Sequence, residues 1–476
     1  MVDKVTAKKS EDFSEWYTQV IQKADLIEYT DVSGCYILKP RAYSMWESIQ
    51  RFMDAELRVR GVKNSYFPIF IPEHLLMKEK EHVEGFTPEV AWVTRSGNSE
   101  LAEPLAIRPT SETIMYDAYS KWIRSHNDLP LLLNQWCNVV RWEFKNPVPF
   151  LRSREFLWQE GHTVYAGKKE AEKEVYDILK LYKRVFEELF AVPVFEGRKS
   201  EKEKFAGAEF TTSVETFLPS GKAIQGATSH HLGQNFSKAF NISFLDEKGE
   251  TKFGWQNSWG LATRTIGIAV MMHSDDKGLV LPPKVAPTQV VVVPILFEDS
   301  KKKVLAKCNE IKETLGGLSV EIDDRDQYKP GWKFNEWEMK GVPVRIEIGP
   351  KDLAKNQVVV VRRDNGEKVD VKVSELKSFV PELLDKIQAS LLKKAKKFIK
   401  DNTVEVSTFK EFAKAIEEKK MVKAKWCGSP ECEEMMKDKL KGAKSLNMPF
   451  KQPDVSGKCT VCGGKASVVA LFGRSY

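Results

Sequence analysis

The stretch FLRSREFLWQEGHT, from Phe150 to Thr163, carries two arginines, two glutamates, a tryptophan and a histidine. Such side chains are usually solvated on scattered faces, so their concentration on one short segment points to a shared chemical task. Arginine suits phosphate binding because its planar fork meets phosphate oxygens bidentately. Other segments carry groups of the same kind. CNVVRWEFKN places Arg141 two residues before Glu143, GLATRTIGIAVMMH opens an apolar run with Arg264, and RPTSE sets Thr110 two before Glu112. Residues two apart on a strand share a face. Arg141 and Glu143 are therefore expected side by side on a strand, able to hold a phosphate and a purine amino group together. The ordinary nucleotide signatures GxxxxGK[ST], GxGxxG and HExxH are all absent. GHTVYAGKK comes nearest to a phosphate loop, but its glycines are wrongly spaced and Lys169 stands where a hydroxyl is needed. If the chain uses ATP, it does so without a P-loop.

These groups need elements to position them. Residues 41–60 read as a long amphipathic helix, with Met45, Trp46, Ile49, Phe52, Met53 and Leu57 at three- and four-residue spacing and Gly61 to end it. SYFPIFIP then reads as a strand, at an edge because of Pro68. A second helix is expected over about 170–190. Helices and strands do not alternate regularly through the first 280 or so positions, which predicts an α+β domain on an antiparallel sheet over residues 1–282. LVLPPKVAP has the proline density of a linker. Beyond it strands and helices alternate, predicting a compact α/β domain over 283–390. A small third domain covers 391–476.

The 476 residues are 42% hydrophobic and 30% charged, an ordinary soluble composition. No apolar run reaches the length of a membrane span and the N-terminus has no signal core, so a cytoplasmic protein without membrane contact is expected. The net charge is +7, and from Lys393 onward 19 Lys and Arg face 10 Asp and Glu. The basic excess is confined to the tail, consistent either with a solvated face or with contact to a polyanion such as nucleic acid. The tail also holds WCGSPECEE and GKCTVCGG, with Cys427, Cys432, Cys459 and Cys462. Four cysteines in two turn-forming clusters fit a tetrahedral structural zinc site. The competing reading is a redox CxxC at Cys459 and Cys462, which lacks the βαβ context of that motif. Cys35, Cys137 and Cys308 stand alone and read as core thiols.

The Arg–x–Glu segment, then FLRSREFLWQEGHT, then GLATRTIG, resemble motifs 2 and 3 of class II aminoacyl-tRNA synthetases, and the helix running to Pro68 resembles motif 1. RPTSE, LWQEGHT and GVPVRIEIGPKD narrow the resemblance to prolyl-tRNA synthetases of the archaeal and eukaryotic-cytosolic type, along essentially the whole chain. The resemblance implies ATP, magnesium, L-proline and tRNA(Pro) as partners, a homodimer built on motif 1, and catalysis by Arg141 and Arg264. It implies an ATP site of Arg141, Glu143, Arg152, Gln225, Thr228, Thr263 and Arg264. The proline site would comprise Phe86, Thr110, Glu112, Arg141, Trp158, Glu160, His162, Phe205 and His230. It makes the 283–390 domain an anticodon-binding domain, with Glu347, Arg345 and Lys351 as contacts and Trp332 and Phe334 as stacking candidates. Tyr476 would dock near the active site. Bacterial-type relatives carry an editing domain between motifs 2 and 3; here a helix and strands fill that interval and leave no room for one. Threonyl- or seryl-type synthetases are the nearest enzymatic alternative, and an RNA-binding paralogue without activity is the alternative outside catalysis.

Overall fold

The computed structural model describes residues 4–82, 89–440, 442–453 and 455–476. Helix α1 (Pro40–Val59) buries Met45, Trp46, Ile49, Met53 and Leu57, the stripe its spacing requires. Gly61, at φ +78°, turns the chain out of it. Trp46 meets Trp136 edge to face at 5.4 Å, an arrangement that adds about 0.5–1.5 kcal/mol beyond burial. The SYFPIFIP segment makes an edge strand, as expected, but only over its last residues and in a sheet apart from the one its predecessor joins. Lys63–Asn64 (β1) pairs with the main sheet, whereas Phe70–Pro72 joins a separate three-stranded sheet with Trp92–Ser96 and Ser99–Ile107. The cause is local. Pro68 has no N–H to offer a ladder, and the Phe67 N–H is spent on the Gln135 side chain at 2.5 Å.

The main sheet has eight strands. In spatial order they are β1, β2 (Leu131–Val140), β3 (Glu155–Tyr165), β7 (Trp255–Ala262), β6 (Ala223–Gly233), β5 (Phe210–Phe217), β4 (Phe195–Arg198) and, at the far edge, Met448–Pro449. Every pairing is antiparallel except β1 with β2. Helix α2 (Glu112–Trp122) follows the RPTSE segment. Helix α3 (Lys168–Arg184) buries Val175, Ile178, Leu179 and Tyr182 and contacts β5, β6 and β7. Helix α4 (Arg264–His273) is buried from Thr265 to Met272. This is the α+β arrangement expected, and residues from 92 to 273 hold most of it.

A second sheet, of five strands, lies in the order β9 (Val320–Ile322), β8 (Val290–Pro294), β10 (Val344–Ile348), β11 (Gln357–Arg362) and β12 (Lys368–Lys372). The first three are mutually parallel and the last two antiparallel. Helices α5 (Lys301–Thr314), α6 (Pro330–Met339) and α7 (Leu376–Asp401) accompany it. Strand β12 had no clear signal, because KVDVK is exposed at all but Val371. Helix α7 runs without a break through positions 390 and 391.

The tail forms a four-stranded sheet from β13 (Thr403–Val406), β14 (Met421–Trp426), β15 (Ala443–Ser445) and β17 (Val468–Arg474), with helices α8 (Phe409–Glu417) and α9 (Pro430–Lys439). Strand β16 (Met448–Pro449) leaves this module and pairs with β4, Met448 opposite Arg198 and Pro449 opposite Gly197. Among the described residues no helix is long and apolar enough to cross a membrane.

Candidate active site

The site lies on β3. Its pleat sends Trp158, Glu160 and His162 to one face, where they line a cavity of about 250 Å³. Gly161, between them, is required by close packing: a Cβ there would stand 2.2 Å from the Trp259 ring. Glu160 is buried and held on several sides. Its carboxylate accepts from the Ser111 N–H at 3.1 Å, from the Ser111 hydroxyl, and from Gln135 Nε2 at 3.0 Å, and meets His162 Nε2 at 3.0 Å. Burial alone would raise the Glu160 pKa, but the hydrogen bond and charge of His162, with those from Ser111 and Gln135, outweigh it and hold the carboxyl below its usual range. Burial likewise works against a charged His162, yet the Glu112 charge and the Glu160 hydrogen bond raise its pKa. Tyr116 OH meets the other ring nitrogen, Nδ1, at 3.1 Å. The RPTSE turn brings Thr110 and Glu112 to the same cavity, hydrogen-bonded to each other. His230, on β6, is lowered to about 3 by burial and by the His162 charge, so it stays neutral beside Phe205, its ring 4.7 Å away.

Two arginines close the other end. Arg141 follows β2; its Nε donates to the Pro109 carbonyl at 3.0 Å and its guanidinium lies 5.2 Å from the Trp158 ring centroid. Arg264 opens α4 and donates to the Leu151 and Gln225 carbonyls at 3.0 and 3.2 Å. Burial, with the neighbouring charges of Arg141 and Arg152, lowers Arg264 to about 10. It remains protonated at neutral pH. Several positive groups massed on one wall, opposing one another, make a site prepared for a polyanion.

Gln225 and Thr228, from β6, also line this cavity. A second, smaller cavity of about 190 Å³ shares Arg264, Gln225 and Glu203 with it and adds Arg152, Lys444 and Tyr476. Two expectations need correction. Arg141 and Glu143 do not share a strand face, because β2 stops at Val140 and Trp142–Glu143 forms a turn that leaves Glu143 exposed. The second arginine of FLRSREFLWQEGHT, Arg154, faces away from the cavity: it donates to the Ser33 and Phe144 carbonyls and stacks on Trp142. Thr263 stands at the N-cap position of α4, next to Arg264, and lines a neighbouring cavity with Phe150 and Phe156. Phe86 lies outside the described residues. Sequence reasoning missed Phe156, Thr211 and Glu203 in the cavity wall. Phe156 continues the i, i+2 series of Trp158 and Glu160 and was readable from it; Glu203 sits in a polar loop with no signal.

In the tail, Cys427, Cys432, Cys459 and Cys462 converge, their sulfurs all within 4.8 Å of one another. Cys432 and Cys459 are 3.8 Å apart, and Cys427 and Cys462 are 3.7 Å apart. A tetrahedron of thiolates at zinc–sulfur distance has edges of about 3.8 Å, and none of the four cysteines is in a disulfide. On the five-stranded sheet, Glu347 is buried and bonded to Arg345 at 2.8 Å, and Phe334 lies 4.4 Å from that guanidinium. Trp332 stacks on Tyr328 with centroids 3.9 Å apart, and Lys351 is exposed on the short helix Pro350–Ala354.

An antiparallel sheet cradling arginines at one end of a cavity and buried carboxylates at the other falls in a known class. The sequence model described as tRNA synthetase class II core domain (G, H, P, S and T) matches residues 92–273. Models described as Anticodon binding domain and Prolyl-tRNA synthetase, C-terminal, match 289–383 and 409–476. The Arabidopsis thaliana protein named "Proline--tRNA ligase, cytoplasmic" is 55% identical, over 99% of this chain and 91% of its own. "Proline--tRNA ligase 2" of Bacillus cereus is 50% identical over 98% of both. The chain matches "Bifunctional glutamate/proline--tRNA ligase" of Cricetulus griseus at 54% identity, and spans only 33% of that protein. The chain therefore belongs to the proline–tRNA ligase family.

Proposed function

We propose that the chain activates L-proline with ATP and transfers the prolyl group to tRNA(Pro), without an editing domain of its own. The observation that carries this reading is the single cavity that pairs Arg141 and Arg264 with Thr110, Glu112, Trp158, His162, Phe205 and His230. A carboxylate oxygen of proline attacks the α-phosphorus, a P–O bond forms, and pyrophosphate leaves. A terminal ribose hydroxyl of the tRNA then attacks the prolyl carbonyl and AMP leaves. Both steps call for alignment and charge neutralisation rather than a covalent enzyme intermediate.

In this reading Arg141 holds the α-phosphate and the substrate carboxylate, while Arg264 and Arg152 hold the outer phosphates. Gln225, Thr228, Glu143 and Thr263 complete the nucleotide site. Glu112 and Thr110 receive the secondary ammonium. Trp158, Phe205 and neutral His230 wall the ring, with Phe86 as a further candidate. Glu160 fixes His162. Magnesium would be held mainly by the substrate phosphates and would neutralise their charge. Zinc held by Cys427, Cys432, Cys459 and Cys462 would act structurally. Glu347, Arg345 and Lys351 remain candidates for the anticodon, with Glu347 presented through Arg345. The proposed domains are 1–282, 283–390 and 391–476, in a cytoplasmic homodimer.

The test is ATP–pyrophosphate exchange with each amino acid in turn. Proline should drive it most strongly. Faster exchange with threonine or serine would reassign the substrate, and exchange with none would leave an RNA-binding paralogue.

A further inference from the structure

We propose that the cysteine-bearing tail module clamps the active-site loop 199–207 through helix α9, with Glu433 and Lys437 as positioning residues for proline binding. This rests on the reading above of the cavity as the proline site.

The loop supplies Glu203 and Phe205 to the cavity wall. Its own bonds to the sheet are few: Lys199 N–H donates to the Thr211 carbonyl and Phe205 N–H to the Thr211 hydroxyl at 2.9 Å. That hydroxyl in turn meets His230 Nδ1 at 2.9 Å, so a shift of the loop reaches a second cavity residue. Asn235 Nδ2 also donates to the Gly207 carbonyl at 2.8 Å and Phe205 stacks on Phe236 with centroids 6.4 Å apart; further anchors come from the tail. Glu433, 1% exposed, accepts from Ser200 Oγ at 2.8 Å and from the Ser445 hydroxyl. Ser200 Oγ also accepts from the Glu203 N–H at 3.2 Å, so the chain of bonds runs from α9 into the backbone of a cavity residue. Lys437 donates to Glu203 at 3.1 Å, and Lys202 pairs with Glu434. Buried Lys199 bridges Glu215 of β5, at 2.8 Å, and the Leu446 carbonyl.

Plain docking of two modules needs neither a buried carboxylate nor bonds aimed at a loop. An uncompensated buried carboxylate is costly, and here one of its two hydroxyl donors is drawn from the cavity loop itself and the other from the tail's own Ser445. The helix that carries Glu433 also carries Cys432, so the order of the cysteine cluster and the order of the loop are mechanically joined.

The experiment compares Glu433→Ala, Glu433→Gln and Lys437→Met with the parent in the full chain. Steady-state exchange gives the KM for proline and for ATP; backbone hydrogen exchange follows peptide 199–207 against β5 and β6. Glu433→Ala should raise the KM for proline by about fivefold or more, the low end of coupling between sites, and leave that for ATP little changed. Peptide 199–207 should exchange faster while β5 and β6 do not. Glu433→Gln, which keeps hydrogen bonds to both serines, should recover most of the loss. Lys437→Met, at the edge of the contact, should act in the same direction more weakly and serves if Glu433→Ala does not fold. Parental exchange at 199–207, or equal losses for proline and ATP, overturns the proposal. If the parent shows no proline-dependent exchange, the assigned activity fails instead, and the hydrogen-exchange comparison decides the clamp alone.

Discussion

Arg141 is fixed through its Nε to the Pro109 carbonyl, which leaves the end of its fork for the cavity. Arg141→Ala should lose about 10²–10³-fold in pyrophosphate exchange, the scale for one preorganised donor, with near-normal exchange removing it from the mechanism. His273 yields a different expectation. It donates from Nε2 to the Phe190 carbonyl at 2.9 Å, and burial lowers it to about 4 from an ordinary 6.5. The unfolded chain binds this proton near pH 6.5 and the folded chain does not. The contribution to stability is thus intact above pH 6.5 and is lost as pH falls toward 4. His230, lowered to about 3, acts in the same sense. Thermal denaturation of His273→Gln should flatten the fall between pH 6.5 and 5 by about 1–2 kcal/mol; an unchanged slope would count against the neutral buried ring. Of the cavity, the residues with rare types at period two were legible. Ser111 and Gln135, which fix Glu160, were not, because common polar residues reveal their partners only when α2 and β2 are brought together.

At the scale of elements, periodicity was the reliable signal. Helix α1 fell where its apolar spacing placed it. Signals failed where a side chain captured the backbone, as Gln135 captures Phe67, or where a strand stops one residue before its functional arginine, as β2 does. The cysteine loops around α9 were legible as a ligand set from their spacing. They should carry about one zinc per chain by elemental analysis. Cys427→Ser with Cys459→Ser should release it and weaken the tail module, since structural zinc supplies folding free energy directly. Protein never exposed to chelator and still free of zinc would rule this out.

For the whole molecule, the three-part order of the chain was legible from the change in strand and helix alternation, and the family models fall within those parts. How the parts meet was not. The seam between them joins residues far apart in sequence, polar pairs such as Arg363 with Asp275 at 2.6 Å and apolar contacts such as Phe217 stacked on Phe398. Assembly is the remaining expectation at this scale. Val59, the last residue of α1, and Tyr66 beyond it are 86% and 71% exposed, with Phe70 and Trp122 also uncovered; large exposed apolar side chains mark interfaces where they gather. Light scattering at micromolar concentration should give the mass of a two-fold dimer, and Tyr66→Glu should shift it toward monomer; a monomeric parent would refute the assignment. Strand β16 carries a last consequence, one for biosynthesis. It is the outer neighbour of β4, yet it is translated long after it. On the ribosome β4 therefore waits as an open edge for roughly ten seconds to a minute at ordinary elongation rates. Unpaired edges recruit foreign strands, so a nascent chain stalled before Met448 should be the form that chaperones hold and that aggregates when they are scarce.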